Sequence, residues 1–474
     1  MEKSQTPSPN GSLRKGLFLF HRDLRIVDNR GLNQASRDVA KLYTCFIFTP
    51  EQVTSKNSHK STNSVQFMLE SLESLSSEIR DSHGELLIMY GSTVNTLEEM
   101  IDALHINCLY FNRDYTPYAR ARDEAIEKMC VKKGIECKIQ DDDYYLYIPG
   151  TVVSKQGSVY QKFTPFYDEV LLHDVEHPSH ASVQNLAKYT GKKLHPFALR
   201  DGWAKFVGEP NAKIAVHGGR TEGTTRLRNS VSRLKDYDDT RDEMSQETSR
   251  LSAYLKYGCV SIREAFHAFK LRYALHSSFI RQLIWRDFFA HLLFAYPNTL
   301  SNIYNEDFGN IRWVKNNKWL ESWKNGMTGF PLVDAGMREL NETGYMHNRA
   351  RMLVATFLTK IMHIDWKDGE RYFAQKLVDY DVASNLGNWA SIVGGGAYSM
   401  PWFRVMSPWE QSKKHDADAI YIKKWVPELK DVPPKNIHKW YNTSGQYSDV
   451  KYPAPILDYK KQKDLFLKMV KSVF

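Results

Sequence analysis

The sequence predicts an α/β fold class, with an N-terminal parallel doubly wound α/β domain followed by a C-terminal all-helical domain. Before about residue 140, short apolar runs of strand length alternate with helix-like segments, which is typical of a parallel sheet covered on both faces. From about Gly218 the apolar spacing becomes helical and stays so nearly to the C-terminus. The chain of 474 residues is also too long for one hydrophobic core.

Five strands and several helices are expected in the first part of the chain. The strand-like runs are LFLF, YTCFIF, ELLIMY, CLYFN and IECKI. Helix-like segments between them include 64–80, 94–104 and 115–133. Gly134 follows the last of these segments and is expected to cap that helix, because glycine adopts the left-handed backbone at low cost.

The sequence divides into four parts. Residues 1–13 lack an apolar signal core and are expected to form a disordered lead. Residues 14–140 form the α/β domain, and 141–215 form an interdomain connector with weak periodicity and some helix. Residues 216–474 form the helical domain. No run of about 20 apolar residues is present, so no membrane span is expected.

Charge and cysteine content suggest the partner and the compartment. The net charge of +9 and pI near 9.0 suit a polyanionic partner such as nucleic acid, although a merely basic protein fits equally well. The five cysteines are odd in number and lack metal-ligand spacing. They favour a reducing intracellular compartment, cytoplasm or nucleus, and no metal site is expected.

Polar side chains follow two of the predicted strands. His21-Arg22-Asp23 and Asn112-Arg113-Asp114 each come directly after an apolar run. Open α/β sheets usually bind ligands at this edge. No GxGxxG motif accompanies them, so a dinucleotide site of the Rossmann type is not expected.

The stretch from Tyr345 to Trp389 places charged residues among long apolar runs. Because an unpaired buried charge is strongly destabilising, these residues predict a pocket for a polar ligand. Asp381 and Asn385 are four residues apart and share one helix face, with Asp379 at or just before the helix start. Arg351 is expected to pair with Asp379. The plain alternative is that this ion pair only holds two helices together.

Small hydroxyl residues mark a second candidate site. Thr248, Ser249 and Ser252 lie at the predicted start of an amphipathic helix over 247–258. The N–H groups and positive dipole end of a helix start suit a diphosphate. An ordinary helix cap is the plain alternative.

These motifs together closely resemble the photolyase/cryptochrome family, and most nearly its class I cyclobutane pyrimidine dimer DNA photolyases. The resemblance runs from about Leu13 to Trp440 and includes NRDYTPYARARD, TSRLS, MHNR and DYDVASNLGNW. It implies that the helical domain binds FAD. The FAD-binding positions that it implies are Tyr237, Thr248, Ser249, Arg250, Leu251, Ser252, Arg286, Asn348, Arg351, Asp379, Asp381 and Asn385.

The resemblance also assigns roles in electron transfer. Asn385 would accept a hydrogen bond from the protonated N5 of the flavin through its amide oxygen. Trp389, Trp366 and Trp313 match the chain that passes electrons from the surface to the flavin. A lone tryptophan is more often core filler, so the match of all three carries the assignment.

A DNA-facing surface is implied as well. Trp285 matches a tryptophan that stacks on a flipped pyrimidine dimer, and Met352 matches a methionine at the dimer. Gln282 would hydrogen-bond the lesion. The phosphate-binding candidates are Arg349, Arg404, Lys413, Lys414 and, more weakly, Arg226.

Two departures from the family pattern affect the choice of lesion. Dimer-repair enzymes usually carry glutamate where this chain has Gln282, and glutamine is typical of enzymes that repair (6–4) photoproducts. Those enzymes, however, bring a His-His pair to the site, whereas this chain has His347 followed by Asn348. The second departure is Ser391, where dimer photolyases have a second tryptophan. The lack of that tryptophan ring should cost about 1–3 kcal/mol of substrate binding unless Trp402 compensates.

The expected function is therefore light-driven repair of cyclobutane pyrimidine dimers by electron transfer from reduced FAD. The alternatives are a cryptochrome-type blue-light photoreceptor, favoured by Gln282 and Ser391, and a (6–4) photoproduct photolyase. A short C-terminus is expected to disfavour the photoreceptor. An antenna chromophore, folate or deazaflavin, is possible in the N-terminal domain. UV-damaged DNA is the expected partner, bound by a monomer.

Overall fold

The computed structural model describes residues 14–473, so the predicted disordered lead lies outside the described residues. Five parallel strands form one sheet in the order β3-β2-β1-β4-β5. The strands are β1 Lys15–Phe20, β2 Lys41–Phe48, β3 Leu86–Tyr90, β4 Cys108–Asn112 and β5 Glu136–Gln140. Each predicted apolar run is a strand, which confirms the predicted parallel α/β domain.

Helices cover this sheet on both faces, and they are α1 Arg30–Asp38, α2 Pro50–Val53, α3 Thr62–Asp81, α4 Thr93–Leu104 and α5 Pro117–Lys133. The three helices predicted over 64–80, 94–104 and 115–133 correspond to α3, α4 and α5. Gly134 adopts φ +65° and its N–H bonds to the last turn of α5, as predicted. The strand order reverses between β1 and β4, which leaves a crevice at their carboxyl ends.

The segment 141–215 has little regular structure. It contains α6 Phe163–Val170, α7 Leu199–Gly202 and a π-helical turn, Trp203–Val207. Leu186 pairs with Leu42 of β2, so this segment returns along the sheet.

The remainder of the described chain is helical, without a strand after β5 among residues 14–473. The helices are α8 Arg220–Arg233, α9 Tyr237–Thr240, α10 Ser252–Lys256, α11 Ile262–Tyr273, α12 Ser278–Ala295, α13 Asn317–Lys324, α14 Pro331–Thr343, α15 Asn348–Thr356, α16 Trp366–Lys376, α17 Val382–Val393, α18 Pro408–His415, α19 Ile420–Trp425, α20 Pro434–Ile437, α21 Trp440–Thr443 and α22 Tyr459–Lys471. Short 3₁₀ turns lie at Pro297–Leu300, Glu306–Asn310, Pro427–Leu429 and Ser444–Gln446, and a π-helical turn, Phe357–Ile361, continues α15. In the described part of the chain, no helix is both long enough and apolar enough to span a bilayer.

A buried ionic network joins the sheet to the helical part. Arg25 pairs with Asp143 at 2.8 Å, and Arg263 of α11 pairs with Asp28 at 2.9 Å; all four side chains are at most 3% exposed. Buried pairs of this kind add little net stability, but losing one partner leaves an uncompensated charge. The network therefore fixes the loop after β1 against the helical part, and this loop contributes to the site.

Candidate flavin and DNA-lesion site

The turn that leads into α10 gathers hydroxyl groups and one orphaned donor. Helix α10 begins at Ser252, so the predicted start near Thr248 is wrong: Arg250 adopts φ +47°, a left-handed conformation that a helix cannot contain. The Ser252 hydroxyl donates to Asp379 Oδ2 over 2.6 Å, and Thr248 Oγ1 lies 3.3 Å from the Tyr345 hydroxyl. The Nε of Arg250 is buried without a hydrogen-bond partner. An unmet donor beside hydroxyls suits an anion such as a diphosphate.

Aromatic and apolar groups border the same turn. Tyr237 stacks on Phe279 of α12, with ring centroids 4.1 Å apart and planes at 16°. Burial, followed by the nearby Tyr345 hydroxyl, raises the pKa of Tyr237 to about 12, so this phenol stays protonated. Leu251 is buried, whereas Ser249 is half-buried. The structure thus brings the predicted residues of the turn together with Tyr237.

The predicted pairing of Arg351 with Asp379 is present. Arg351 Nη2 lies 3.0 and 3.2 Å from the two carboxylate oxygens, and its Nε donates to the Met346 carbonyl over 2.8 Å. Asp379 is 8% exposed, so its charge has little contact with water. The carboxylate also accepts from Ser252, which is itself exposed. An exposed hydroxyl bonded to a buried carboxylate marks an opening in front of this cluster.

Asp381 caps α17 and is held ionised by two arginines. Its carboxylate accepts the Ser384 N–H over 2.9 Å and lies 3.4 Å from Arg22 Nη1. Burial alone would raise the pKa of Asp381, but Arg22 and Arg286 outweigh burial and hold it below its ordinary value. Arg286 also donates to the Tyr144 carbonyl over 2.7 Å. The site therefore keeps a fixed negative charge next to two fixed positive charges.

Asn385, one turn after Asp381, has a partner that sequence reasoning missed. Its amide nitrogen donates to Glu370 Oε1 over 3.1 Å and to the Glu370 carbonyl over 3.3 Å. An ionised carboxylate only accepts, so the nitrogen must face Glu370 and the amide oxygen must point elsewhere. Glu370 lies on α16 and is buried. No motif around Glu370 predicted this contact, because it depends on how α16 packs on α17.

Two glycines allow α17 to approach its neighbours closely. A methyl group on Gly387 would lie 2.3 Å from the Phe289 ring of α12, and one on Gly369 of α16 would lie 2.2 Å from the Trp389 ring. Real carbon contacts lie near 3.5–4.0 Å, so each site excludes a larger residue. The close approach sets Asn385 and Trp389 between α12 and α16.

The three predicted electron-transfer tryptophans differ in exposure. Trp389 is 2% exposed and Trp366 4%, while Trp313 is half-buried. Gly369, against which Trp389 packs, is one helical turn from Trp366. The ring of Trp389 also contacts Trp323, with centroids 6.4 Å apart, which the sequence did not indicate. Trp389 and Trp366 thus lie in the interior, and Trp313 lies nearer the surface.

Trp285 lies in an aromatic cluster on α12. It stacks face to face on Phe163 with centroids 3.6 Å apart and planes at 3°. The ring of Tyr398 lies edge-on to Trp285 at 5.2 Å. The expectation that Trp402 would compensate for Ser391 is not what the structure shows: Tyr398 is the ring beside Trp285, and Trp402 packs on Gly394.

The remaining lesion-facing candidates lie close by in the chain. Gln282 is exposed one turn before Trp285, and Met352 is half-buried on α15. Asn348 is exposed at the start of α15, with its amide nitrogen 4.0 Å from Met352 Sδ. His347 caps α15 through Nδ1 and is buried; burial lowers its pKa to about 4. This imidazole is therefore neutral at physiological pH.

The predicted phosphate-binding cations differ in exposure and in their partners. Arg404, Lys413 and Lys414 are exposed, but Arg349 pairs with Asp242 at 2.5 Å. Arg226 lies on α8, close enough to Tyr254 of α10 for its charge to lower the pKa of that phenol against the effect of burial. Helix α8 packs on α3 and α11.

A buried lysine anchors the loop that carries Arg404. Lys360 is 1% exposed, and its ammonium donates to the carbonyls of Trp402 and Arg404 over 3.0 and 3.1 Å. Burial, assisted by the Arg404 charge, lowers the pKa of Lys360 to about 7. Phe403, between the two anchored residues, is 62% exposed. The loop therefore has a fixed backbone and presents an aromatic ring and a guanidinium outward.

A cavity of about 320 Å³ lies at the carboxyl ends of β1 and β2, against the helical part. Its lining includes His21, Arg22 and Asp114 of the predicted strand-end clusters, with Lys256 and Asp381 on the opposite side. Both predicted clusters therefore line a cavity, and Arg22 joins it to the flavin-binding residues through Asp381.

Comparisons with known proteins agree with this architecture. Residues 16–183 match the model of the DNA photolyase family, and residues 279–472 match the FAD binding domain of DNA photolyase. The deoxyribodipyrimidine photo-lyase of Halobacterium salinarum is 32% identical over 94% of this chain and 97% of its own.

Solved structures show the same likeness. An archaeal photolyase from Sulfolobus tokodaii, described with two FAD molecules, is 37% identical with a TM-score of 0.85 over 97% of this chain and all of its own. A class III photolyase from Agrobacterium tumefaciens is 30% identical with a TM-score of 0.91, over 98% of each chain. A Synechocystis sp. PCC6803 cryptochrome is 28% identical with a TM-score of 0.87, over 99% of this chain and all of its own.

The fold and the site define a flavoprotein built from a parallel α/β domain and a helical flavin domain. This chain belongs to the DNA photolyase family and carries its FAD binding domain.

Proposed function

We propose that this protein is a light-driven deoxyribodipyrimidine photo-lyase that splits cyclobutane pyrimidine dimers in UV-damaged DNA. One observation carries the proposal: α12, with Trp285 and Gln282, packs directly on α17, with Asp381 and Asn385. The residues that would hold the lesion and those that would hold the flavin thus occupy adjacent helices. Such adjacency is needed wherever an electron passes directly between the two.

The residues fit an FAD molecule. The orphaned Arg250 Nε, with Thr248 and Ser252, would hold the diphosphate, and the Arg351–Asp379 pair would fix the polar edge of the flavin. Asn385 would present its amide oxygen to the ring. Bound and reduced FAD would supply the photochemistry, namely one electron that is lent to the dimer under illumination and returned once the two bonds joining the bases have broken.

The protein would hold the flipped dimer by stacking and hydrogen bonding. Trp285, backed by Phe163, presents a rigid ring, and Tyr398 provides a second aromatic group where Ser391 provides none. A stacked base contributes about 1–3 kcal/mol. Gln282 would donate an amide N–H to the lesion but no proton.

The lesion class follows from His347. By the resemblance, repair of a (6–4) photoproduct would require a His-His pair, but this chain has only His347 followed by Asn348, and the His347 imidazole is buried and uses Nδ1 to cap α15. The absence of a second histidine at position 348 therefore supports dimer repair, although Gln282 is typical of the other enzymes.

The interdomain cavity supports a second proposed ligand, an antenna chromophore. It lies at the carboxyl ends of β1 and β2, the usual ligand edge of an open parallel sheet, and reaches the flavin-binding residues through Arg22 and Asp381. Folate and deazaflavin are both candidates for it.

The proposal extends to the DNA partner, the oligomeric state and the cellular compartment. UV-damaged DNA would bind a monomer through Arg404, Lys413 and Lys414, which are exposed. All five cysteines are free thiols, which supports a reducing compartment, cytoplasm or nucleus.

A repair assay tests the function. Reduced protein is illuminated with blue light in the presence of oligonucleotides that carry one cyclobutane dimer or one (6–4) lesion, and lesion loss is measured by chromatography. We expect loss of the dimer in the light and none in the dark, and strongly reduced loss with Trp285→Ala at equal flavin content.

Other outcomes separate the alternatives. Loss of the (6–4) lesion alone would reassign the substrate. A flavin-loaded protein that repairs neither lesion would contradict the proposal and support the photoreceptor alternative, which Gln282 favours.

A further inference from the structure

A chain of polar contacts runs from the N-terminal domain to Asn385. His59, in the loop between α2 and α3, places Nε2 3.2 Å from Glu370 Oε2, across 311 residues of sequence. Glu370 Oε1 accepts from Asn385 and, over 3.2 Å, from the Tyr380 hydroxyl. Within residues 14–473, the buried carboxylate thus has three side-chain partners, of which His59 alone comes from the N-terminal part.

Glu370 decides which way the Asn385 amide faces. As a carboxylate it accepts only, so it holds the amide nitrogen and leaves the oxygen directed away from α16. The orientation of Asn385 therefore depends on where the carboxylate is held, and the contact of His59 with Oε2 leaves Oε1 facing Asn385.

His59 is held firmly enough to do this. Its backbone N–H donates to Asn57 Oδ1 over 3.0 Å, and Gln375 of α16 donates to the carbonyl of Ser58 over 2.9 Å. The imidazole stacks on Tyr380 with centroids 6.3 Å apart and planes at 25°. The loop is thus docked on the same helix that carries Glu370.

The position of His59 also shields the carboxylate. The imidazole is 39% exposed and lines the interdomain cavity, while Glu370 behind it is 6% exposed. Two other charged groups lie near this cluster: Lys256, whose ammonium lies 5.6 Å from the Tyr380 ring centroid, and Asp381, whose charge also acts on Tyr380. Removing the imidazole would take one donor from the carboxylate and open a path to the cavity.

We propose that His59 is a positioning residue for the flavin: through Glu370 it keeps the Asn385 amide oxygen directed at the flavin ring. This inference rests on the proposed function. An amide oxygen favours a flavin ring nitrogen that carries a proton, as in reduced states, whereas an amide N–H favours the oxidised ring. Loss of His59 therefore makes the bound flavin harder to reduce, without any residue of the flavin-binding turn being changed.

The test measures the midpoint potential of the bound flavin in four single variants and one double variant. His59→Ala removes the contact, His59→Gln retains a donor, and Glu370→Gln neutralises the carboxylate. His217→Ala is the matched control, because His217 forms a similar pair with Glu70 at 3.1 Å on the surface of α3. Flavin content and dimer repair are recorded for each protein.

We expect His59→Ala to lower the potential by about 30 mV, a tenfold change in the two-electron equilibrium. His59→Gln should restore most of the shift, His217→Ala should change nothing, and adding His59→Ala to Glu370→Gln should add little, since both act through one contact. An unchanged potential in His59→Ala, or full additivity in the double variant, would overturn the inference about His59. If the wild type still repaired dimers in that case, the proposed function would stand. A wild-type protein that retains no flavin would overturn both.

Discussion

Gly369→Ala tests whether the close approach of α16 and α17 positions Trp389. The added methyl carbon would lie 2.2 Å from Cη2 of the Trp389 ring and 2.6 Å from Leu358 Cδ2. Ordinary carbon contacts are about 3.5 Å or longer, so the ring must move by about 1.3 Å or α16 must separate from α17. Trp389 is 2% exposed and Leu358 is fully buried, so neither has free space.

The expected cost follows from two opposing terms. Overpacking of a core costs about 1–3 kcal/mol, and alanine in a helix gains up to about 1 kcal/mol over glycine. We expect a net loss near 1 kcal/mol in the free energy of unfolding, visible as a fall in Tm of about 1–2 °C for a chain of this length, together with slower photoreduction of the flavin.

Gly309→Ala is the control, because a methyl group there meets no atom within 4 Å. Its Tm should stay within about 0.5 °C of the wild type, as expected for a substitution without new contacts. If Gly369→Ala raised the Tm, as an ordinary glycine-to-alanine change in a helix does, or left photoreduction unchanged, the proposed packing of Trp389 would be refuted.

Three substitutions in the site and one at the lysine that anchors the Arg404 loop give further predictions. Trp389→Phe should slow flavin photoreduction roughly tenfold, about 1.4 kcal/mol in barrier, at unchanged flavin content; an unaltered rate would remove this ring from the electron path. Asp381→Ala should weaken flavin retention in equilibrium dialysis more than Asp381→Asn, because it removes the α17 cap as well as the charge; full retention would show that the pocket lies elsewhere. Gln282→Glu should speed dimer repair, measured against Gln282→Met, and a slower rate would favour another lesion. Burial holds the pKa of Lys360 at about 7, below its ordinary 10.5, so between pH 7 and 10.5 the unfolded chain binds more protons than the folded chain. The Tm of the wild type relative to that of Lys360→Met should therefore rise from pH 7 to 9. Parallel curves of Tm against pH for the two proteins would contradict this.

Much of the fold could be predicted because its signals are local. Apolar runs of strand length and helix-period spacing lie within a dozen residues, and all five strands and the cap at Gly134 were found from them. The start of α10 could not be predicted, because Arg250 takes a left-handed backbone that nothing in its neighbours requires.

Part of the site was also accessible from sequence. The pairing of Arg351 with Asp379 followed from two opposite charges within apolar helices, which rarely stay unpaired. Arg349 illustrates the limit of that reasoning: its partner, Asp242, comes from a loop about a hundred residues earlier, so its pairing was invisible. The place of Arg226 beside Tyr254 was equally unpredictable.

The sequence by itself determined the two kinds of fold, the family and the residue types that could hold a flavin, because periodicity and motif spacing are properties of neighbouring positions. Only the tertiary structure decided how those residues are held. Glu370 orients Asn385, Tyr398 stands beside Trp285, and Arg22 reaches Asp381 from the other domain. Each of these contacts joins helices or domains whose packing depends on small residues and buried charges far apart in the chain. A pattern of neighbouring residues therefore cannot predict them.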